Sequence, residues 1–271
     1  LALSLWLPPP TNGRLPETPI ANWERWFVAT LLCLVIVRYG LIAWEVALRP
    51  LYPWDAWMNW TPKAVIWFHY EELVPFVSPG QWPKADPDSL AHSLGAKAAW
   101  KYPITVPLIQ LWGMLGAGSY EHSLYNLPWA IAPLAFALVL FGHLRGRGAP
   151  AWLAMTACYL LLSIPLVNVH SALAGYADLW LALVFTLGIL SLERWRALGD
   201  RRRLALALFY ALACTQLKIP GLVLGGIILV LAIANALRLS RTAWILLILG
   251  GAAVALALLM TGVSFILNPP G

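Results

Sequence analysis

The sequence predicts an all-α membrane protein, a polytopic transmembrane helix bundle of about seven spans with a long extracytoplasmic first loop bearing surface helices. Two observations carry that expectation. Hydrophobic residues make up 61% of the chain and charged residues 11%, whereas a soluble domain carries about 25% charged residues. The apolar residues also gather into runs of near-bilayer length, separated by short basic clusters. A helix rising about 1.5 Å per residue needs roughly 20 such residues to cross a hydrocarbon core about 30 Å thick. This composition excludes an ordinary soluble domain, and it excludes a disordered chain, which needs low hydrophobicity and high charge. The net charge of +6 sits between apolar runs, as the positive-inside rule requires, and not in one nucleic-acid footprint.

The first expected span is Trp26–Leu48. Arg38 and Glu45 lie seven residues apart in it and share one helix face, which is expected to turn towards protein because lipid-facing charge is costly. The stretch Arg49–Tyr120 follows, rich in proline and tryptophan. It is too polar to span and too aromatic to be a loose linker. Within it, Thr61–Phe68 reads as a helix with Pro62 in its first turn. Trp57, Trp60, Ala64 and Trp67 fall at helical spacing, and the face they form is expected to lie flat in the membrane interface. Tyr102–Leu108 reads as a broken, re-entrant helix.

Spans then resume at Leu124–Leu144, Pro150–Val169, Asp178–Leu192, Leu204–Leu217, Ile219–Leu237 and Thr242–Leu267. One continuous helix over Leu204–Leu237 would place Lys218 near mid-bilayer, at a cost of about 2.5–3.5 kcal/mol or more. A hairpin turning at Pro220-Gly221 moves Lys218 to an interface. With that hairpin, the clusters His143–Arg147, Glu193–Arg203 and Arg238–Arg241 fall on one side, and their nine arginines make that side cytoplasmic. The other side receives residues 49–120, the Asn168–Asp178 loop and the Lys218 turn. Residues 1–271 thus read as a single transmembrane domain. The start at Leu1 and the end at Asn268-Pro269-Pro270-Gly271 suggest a piece of a longer protein. Cys33, Cys158 and Cys214 lie inside apolar runs, with no metal-ligand or disulfide spacing.

On the non-arginine side the polar residues are few. Asp55 stands among tryptophans just after the first span, where a carboxylate is poorly solvated unless it caps a helix or serves a site. Asp178 opens a later span, as an N-cap or as a second acid on the same face. Two carboxylates converging there would suit acid–base or ion-binding work. Lys101 and Lys218 can snorkel to headgroups or, with His170, bind a phosphate near the membrane surface.

The order of these features resembles the GT-C glycosyltransferases, polytopic enzymes that use polyprenyl-phosphate-linked sugars and include the protein mannosyltransferases and the aminoarabinose transferase of lipid A. The features are Asp55 after a span, a Trp-rich helix, Lys101-Tyr102-Pro103, Tyr176-Ala177-Asp178 opening a span, and Thr215-Gln216-Leu217-Lys218-Ile219-Pro220-Gly221. The resemblance runs from about Trp26 to Leu237. It implies transfer from a polyprenyl-phosphate sugar to an acceptor hydroxyl on the extracytoplasmic face of a bacterial plasma membrane, with inversion. It makes Asp55 the general base and Asp178 a second catalytic residue, which orients acceptor or metal. It gives Lys101, Lys218 and His170 to the donor phosphate, and Trp57, Lys63, Tyr102 and Tyr176 to substrate. A divalent metal is compatible with it. The chain departs from the family pattern in having Ala56 beside Asp55, and Lys-Tyr-Pro where the family has a basic–Pro–Pro form. Two other readings stay open: a non-catalytic membrane subunit of a larger complex, and a secondary transporter with Arg38, Glu45 and Asp178 on its path.

Overall fold

The computed structural model describes residues 21–49, 53–96, 98–120 and 123–237, with 242, 249 and 250. Regular structure among them is almost wholly helical. The α-helices are α1 (Asn22–Leu48), α2 (Thr61–Tyr70), α3 (Thr105–Ala117), α4 (Pro128–Arg145), α5 (Ala151–Leu162), α6 (Pro165–Ala172), α7 (Ala177–Leu198), α8 (Arg201–Thr215) and α9 (Gly221–Ala236). A two-residue parallel pairing, β1 (Phe76–Val77) with β2 (His92–Ser93), closes the long loop. The chain divides into two compact units, Leu1–Ile228 and Leu229–Gly271. The second begins within α9, where Asn235 donates back to the Leu231 carbonyl at 2.7 Å. The expected span Thr242–Leu267 and the cluster Arg238–Arg241 lie outside the described residues, apart from residues 242, 249 and 250.

Among the described residues, two stretches, Asn22–Leu48 and Ser123–Arg145, are long and apolar enough to cross a membrane, and α5 with α6 makes a third if that bent pair is one span. Of the other expected spans, α7 carries Glu193, Arg194 and Arg196 in its last turns. Helices α8 and α9, with 15 and 16 residues, are short for a bilayer. Helix α1 buries only the narrow stripe Val35, Tyr39, Ile42 and Val46. Its three tryptophans, Leu32, Leu34, Val37, Leu41 and Leu48 face outward, as on a helix whose solvent is lipid or another apolar surface.

The bend of 59° between α5 and α6 follows from Pro165 at the start of α6, which supplies no N–H to the preceding turn. The Asn168 side chain bridges the bend, donating to the carbonyls of Leu162 at 3.0 Å and Ile164 at 2.8 Å. Helix α7 ends at Gly199, which takes the left-handed conformation (φ 69°). Asp200 then caps α8 by accepting from the Arg202 amide at 2.9 Å. The expected hairpin is present: α8 stops at Thr215 and α9 starts at Gly221. Gly221 and Gly225, four residues apart, bring α9 against the backbone of Cys214 and Ala211 in α8.

Helices α4 and α7 run parallel. At their N-terminal ends Trp129 donates to the Tyr176 carbonyl at 2.8 Å. At their C-terminal ends Glu193 pairs with Arg147 and with His143 (3.2 Å), while Arg194 donates to the carbonyls of His143 (3.1 Å) and Gly146 (3.3 Å). The arginine clusters after α4 and at the end of α7 therefore share one end of the bundle. The 22 residues of α7 put its two ends about 33 Å apart.

Two expectations about faces are corrected. Arg38 is exposed, and Glu45 pairs with Arg49 at 3.0 Å one turn on. The face turned inward on α1 is the apolar stripe, with Tyr39 in it. In the long loop, Trp60, Ala64 and Trp67 are buried in protein, and only Trp57 is exposed. Ala64 packs with Met114 and Tyr125, and Trp67 donates to the Val74 carbonyl at 2.9 Å. A helical aromatic stripe has the same pattern whether lipid or protein covers it. Here α3 and the returning loop cover it. The polar chain Thr61–Gln110–Asn126 (3.0 and 3.3 Å) ties α2, α3 and the turn before α4 together with each buried partner satisfied.

Candidate functional site

Asp55 lies where the chain enters α2, and the helix there is not an ordinary one. Residues Ala56–Trp60 wind as a single π-helical turn, and the Thr61 amide reaches back to the Ala56 carbonyl. A wider turn brings residues five apart onto one side, and such turns occur often at functional sites. Trp60 Nε1 therefore donates to Asp55 Oδ2 at 3.1 Å, while Asn59, four residues on from the acid, donates to Oδ1 at 2.5 Å. Asp55 makes no side-chain cap bond, which removes the capping alternative. Its carboxylate is gripped by side chains instead.

Asp178 is not an N-cap either. Tyr176 holds that position without a side-chain bond, and Asp178 sits in the first turn of α7, where negative charge meets the positive helix end. Both of its oxygens accept from Lys218 Nζ at 2.9 Å. The same ammonium stands 3.9 Å from Asp55 Oδ2. Three side chains from three distant segments thus meet around one cation. Asp55 and Lys218 are each 21% exposed and Asp178 45%, so the group is partly shielded yet open on one side. It lies at the end of α7 away from the arginines.

The other expected site residues are distributed differently. Lys101 is exposed, its ammonium 5.2 Å from the centre of the Trp100 ring, and among the described residues it enters no ion pair. His170 packs its ring edge-on to Tyr176 at 5.3 Å, and its buried Nδ1 has no hydrogen-bond partner among the described residues. His170, Tyr176 and Trp129 together brace the start of α7. Trp57, 61% exposed, is free to meet a ligand. Tyr102 stacks on Trp60, with ring centres 5.0 Å apart and planes at 23°.

Lys63 differs most from expectation. It is 1% exposed, and its ammonium donates to the backbone carbonyls of Tyr102 at 3.0 Å and Trp100 at 3.5 Å. The Phe76 ring lies 5.7 Å away. This burial leaves Lys63 no open side towards a substrate, so its assignment to substrate contact is corrected to an internal clamp. Desolvation pulls its pKa from 10.5 down to about 8. Because the folded value lies below the unfolded one, the charge costs stability below about pH 8, and the cost fades as pH rises from there towards 10.5. The wild-type chain is expected to grow more stable across that window, and a Lys63→Met chain is expected to lack that gain. Denaturation midpoints in detergent at about pH 7 and about pH 10 check this.

Sequence reasoning missed Asn59 and Trp60 as the groups that hold Asp55. Asn59 was within reach, since an amide four residues after an acid shares its helix face. Trp60 was not, because a five-residue offset pairs only in a π turn. Among the described residues, no group of three or more His, Cys, Asp or Glu is placed to hold a metal ion. The two carboxylates have the Lys218 ammonium as their shared counter-ion, so these residues do not fit a resident divalent cation. Compared with known proteins, the chain matches no family model, and no curated protein or solved structure is significantly similar to it.

Proposed function

We propose that the chain is a membrane glycosyltransferase, or part of one, that passes a sugar from a polyprenyl-phosphate donor to an acceptor hydroxyl. One observation carries this reading: Asp55, Asp178 and Lys218 converge at the bundle end opposite the arginine clusters. The seven-span GT-C arrangement belongs to the proposal, with α1, α4, the α5–α6 pair, α7, α8, α9 and Thr242–Leu267 as its spans. So does the orientation, with the arginines cytoplasmic and the site extracytoplasmic in a bacterial plasma membrane.

The chemistry asks for a base and a fixed positive charge. Polyprenyl phosphate is a good leaving group and needs no acid behind it. In the proposed step the acceptor oxygen attacks the anomeric carbon, and its proton passes to the Asp55 carboxylate. The bond from the anomeric carbon to the phosphate oxygen breaks, and the phosphate leaves with the electron pair. A single displacement inverts the carbon. Asn59 and Trp60 keep Asp55 aimed. Lys218 offers its ammonium to the departing phosphate, and Asp178 holds Lys218 in place until the donor arrives. Lys101, which enters no ion pair among the described residues, is offered to the same phosphate, and the exposed Trp57 ring to a sugar face. No step runs through a metal.

The test is transfer from a labelled polyprenyl-phosphate sugar. Asp55→Asn keeps the shape of the side chain and removes its basicity, and turnover is expected to fall by about 10²–10⁴. Equal turnover in both proteins would take Asp55 out of the reaction.

A further inference from the structure

Lys63 has no role in the chemistry above, yet its burial is costly. A buried ammonium without a carboxylate partner bears most of its desolvation penalty, and methionine would fill the same space without it. Its contacts show what the ammonium does. It bridges the carbonyls of Trp100 and Tyr102, pinning the short 3₁₀ turn Ala99–Lys101 and the residue after it against α2. Pinned there, the Tyr102 ring covers the face of Trp60. Trp60 is fully buried, and its indole has one polar atom, Nε1, which points at Asp55 Oδ2.

We infer that Lys63 is a positioning residue for Asp55: by clamping the 100–102 backbone it seats Tyr102 on Trp60 and so fixes the indole N–H that orients the carboxylate. This rests on Asp55 being the working carboxylate of the proposed transferase. The geometry makes the clamp insensitive to titration, because a neutral amine still carries two N–H groups for two carbonyls. Phe76, Trp100 and Tyr102 are the groups around it, and among the described residues no acidic side chain pairs with it.

The experiment separates positioning from general loosening by reading the two aspartates independently. The protein in detergent is treated with dicyclohexylcarbodiimide, and modification of Asp55 and Asp178 is followed by peptide mass spectrometry. Loss of one ordinary hydrogen bond to Asp55 corresponds to about a fivefold change. Lys63→Met is expected to raise Asp55 modification by about that factor and to leave Asp178 unchanged. Tyr102→Leu keeps both carbonyls but removes the stacked ring, and it is expected to do the same, so the result does not depend on one variant folding. Lys84→Met, on the exposed loop, is the control. Unchanged Asp55 modification in either folded variant overturns the inference, as does a parallel rise at Asp178. In the transfer assay, Lys63→Met should lower kcat with little change in the KM for donor. If the wild type transfers no sugar while the Asp55-selective labelling change appears, the transferase reading fails and the positioning role stands.

Discussion

Replacing Lys218 with methionine is expected to lower the proposed sugar transfer severely while changing stability little. The two effects separate because of where the group sits. Lys218 keeps 21% of its side-chain surface and Asp178 45%, so water screens the pair and can solvate either partner alone. Solvent-exposed ion pairs contribute about 0–1 kcal/mol to folding, and this half-shielded pair is expected at the upper end of that range. The chemical consequence is larger. In the proposed reaction, loss of the ammonium would leave two carboxylates facing each other where the donor phosphate enters, and would take the fixed positive charge from the leaving group. Removing one such preorganised charge-stabilising group costs about 10²–10³ in turnover. Asp178→Asn provides the discriminating comparison. Asp178 acts through Lys218, so its loss alone should cost less than Lys218→Met, and the double variant should be no worse than Lys218→Met alone. Multiplicative losses in the transfer assay would mean that Asp178 touches substrate by itself. A fall in the denaturation midpoint of Lys218→Met as large as that of a core deletion would mean that the trio is structural.

How much of this trio the sequence disclosed depends on what each residue's position relies upon. Lys218 was legible because hydrophobicity has a length scale: an apolar run too long for one crossing, broken by a lysine and Pro-Gly, turns there in the structure as in the sequence. The shared end of the His143–Arg147 and Glu193–Arg203 clusters was legible for a similar reason, since helices that cross in alternation sort their loops by parity. Asp178 could be placed at a helix start, but not told apart from a cap, because a first-turn acid and a capping acid look alike until the partner is known. The environments of Trp60, Trp67 and Lys63 were not legible. A stripe of tryptophans and a lysine stem satisfy lipid and protein interior equally well, and the choice is made by the loop that returns over them: Tyr102 on Trp60, Val74 and Phe76 on Trp67, and the Trp100 and Tyr102 carbonyls on Lys63. The π turn at Ala56–Trp60 was the least visible feature. One extra residue in a turn leaves no mark on periodicity over so short a helix, yet it decides which side chain reaches Asp55.

The second large effect is expected at the turn that carries Lys218. Gly221→Val should destabilise the protein by about 1–3 kcal/mol or more, the usual penalty for forcing atoms into a packed contact. A Cβ at Gly221 would lie inside the carbonyl oxygen of Cys214, and 3.2 Å from Leu181 Cδ1. The obstructing atom is backbone, so no rotamer change relieves it, and α9 must move off α8. Gly225 meets the Ala211 carbonyl in the same way, with Thr215 Cγ2 3.3 Å from where its Cβ would be. These two glycines present a smooth strip to the small residues Ala211 and Cys214 of α8, as close-packed helix pairs in membranes do. Gly226 is the internal control: nothing lies within 4 Å of a Cβ built there, so Gly226→Ala should be neutral, or should stabilise by up to about 1 kcal/mol through helix propensity. Denaturation midpoints in detergent read the contrast, and equal losses at 221 and 226 would remove the close α8–α9 approach as its cause. The loss should also reach the chemistry. Lys218 stands three residues before Gly221, and a displaced α9 would draw its ammonium away from Asp178. Gly221→Val protein that remains folded is therefore expected to transfer sugar as poorly as Lys218→Met, although its own side chain touches none of the three charged groups.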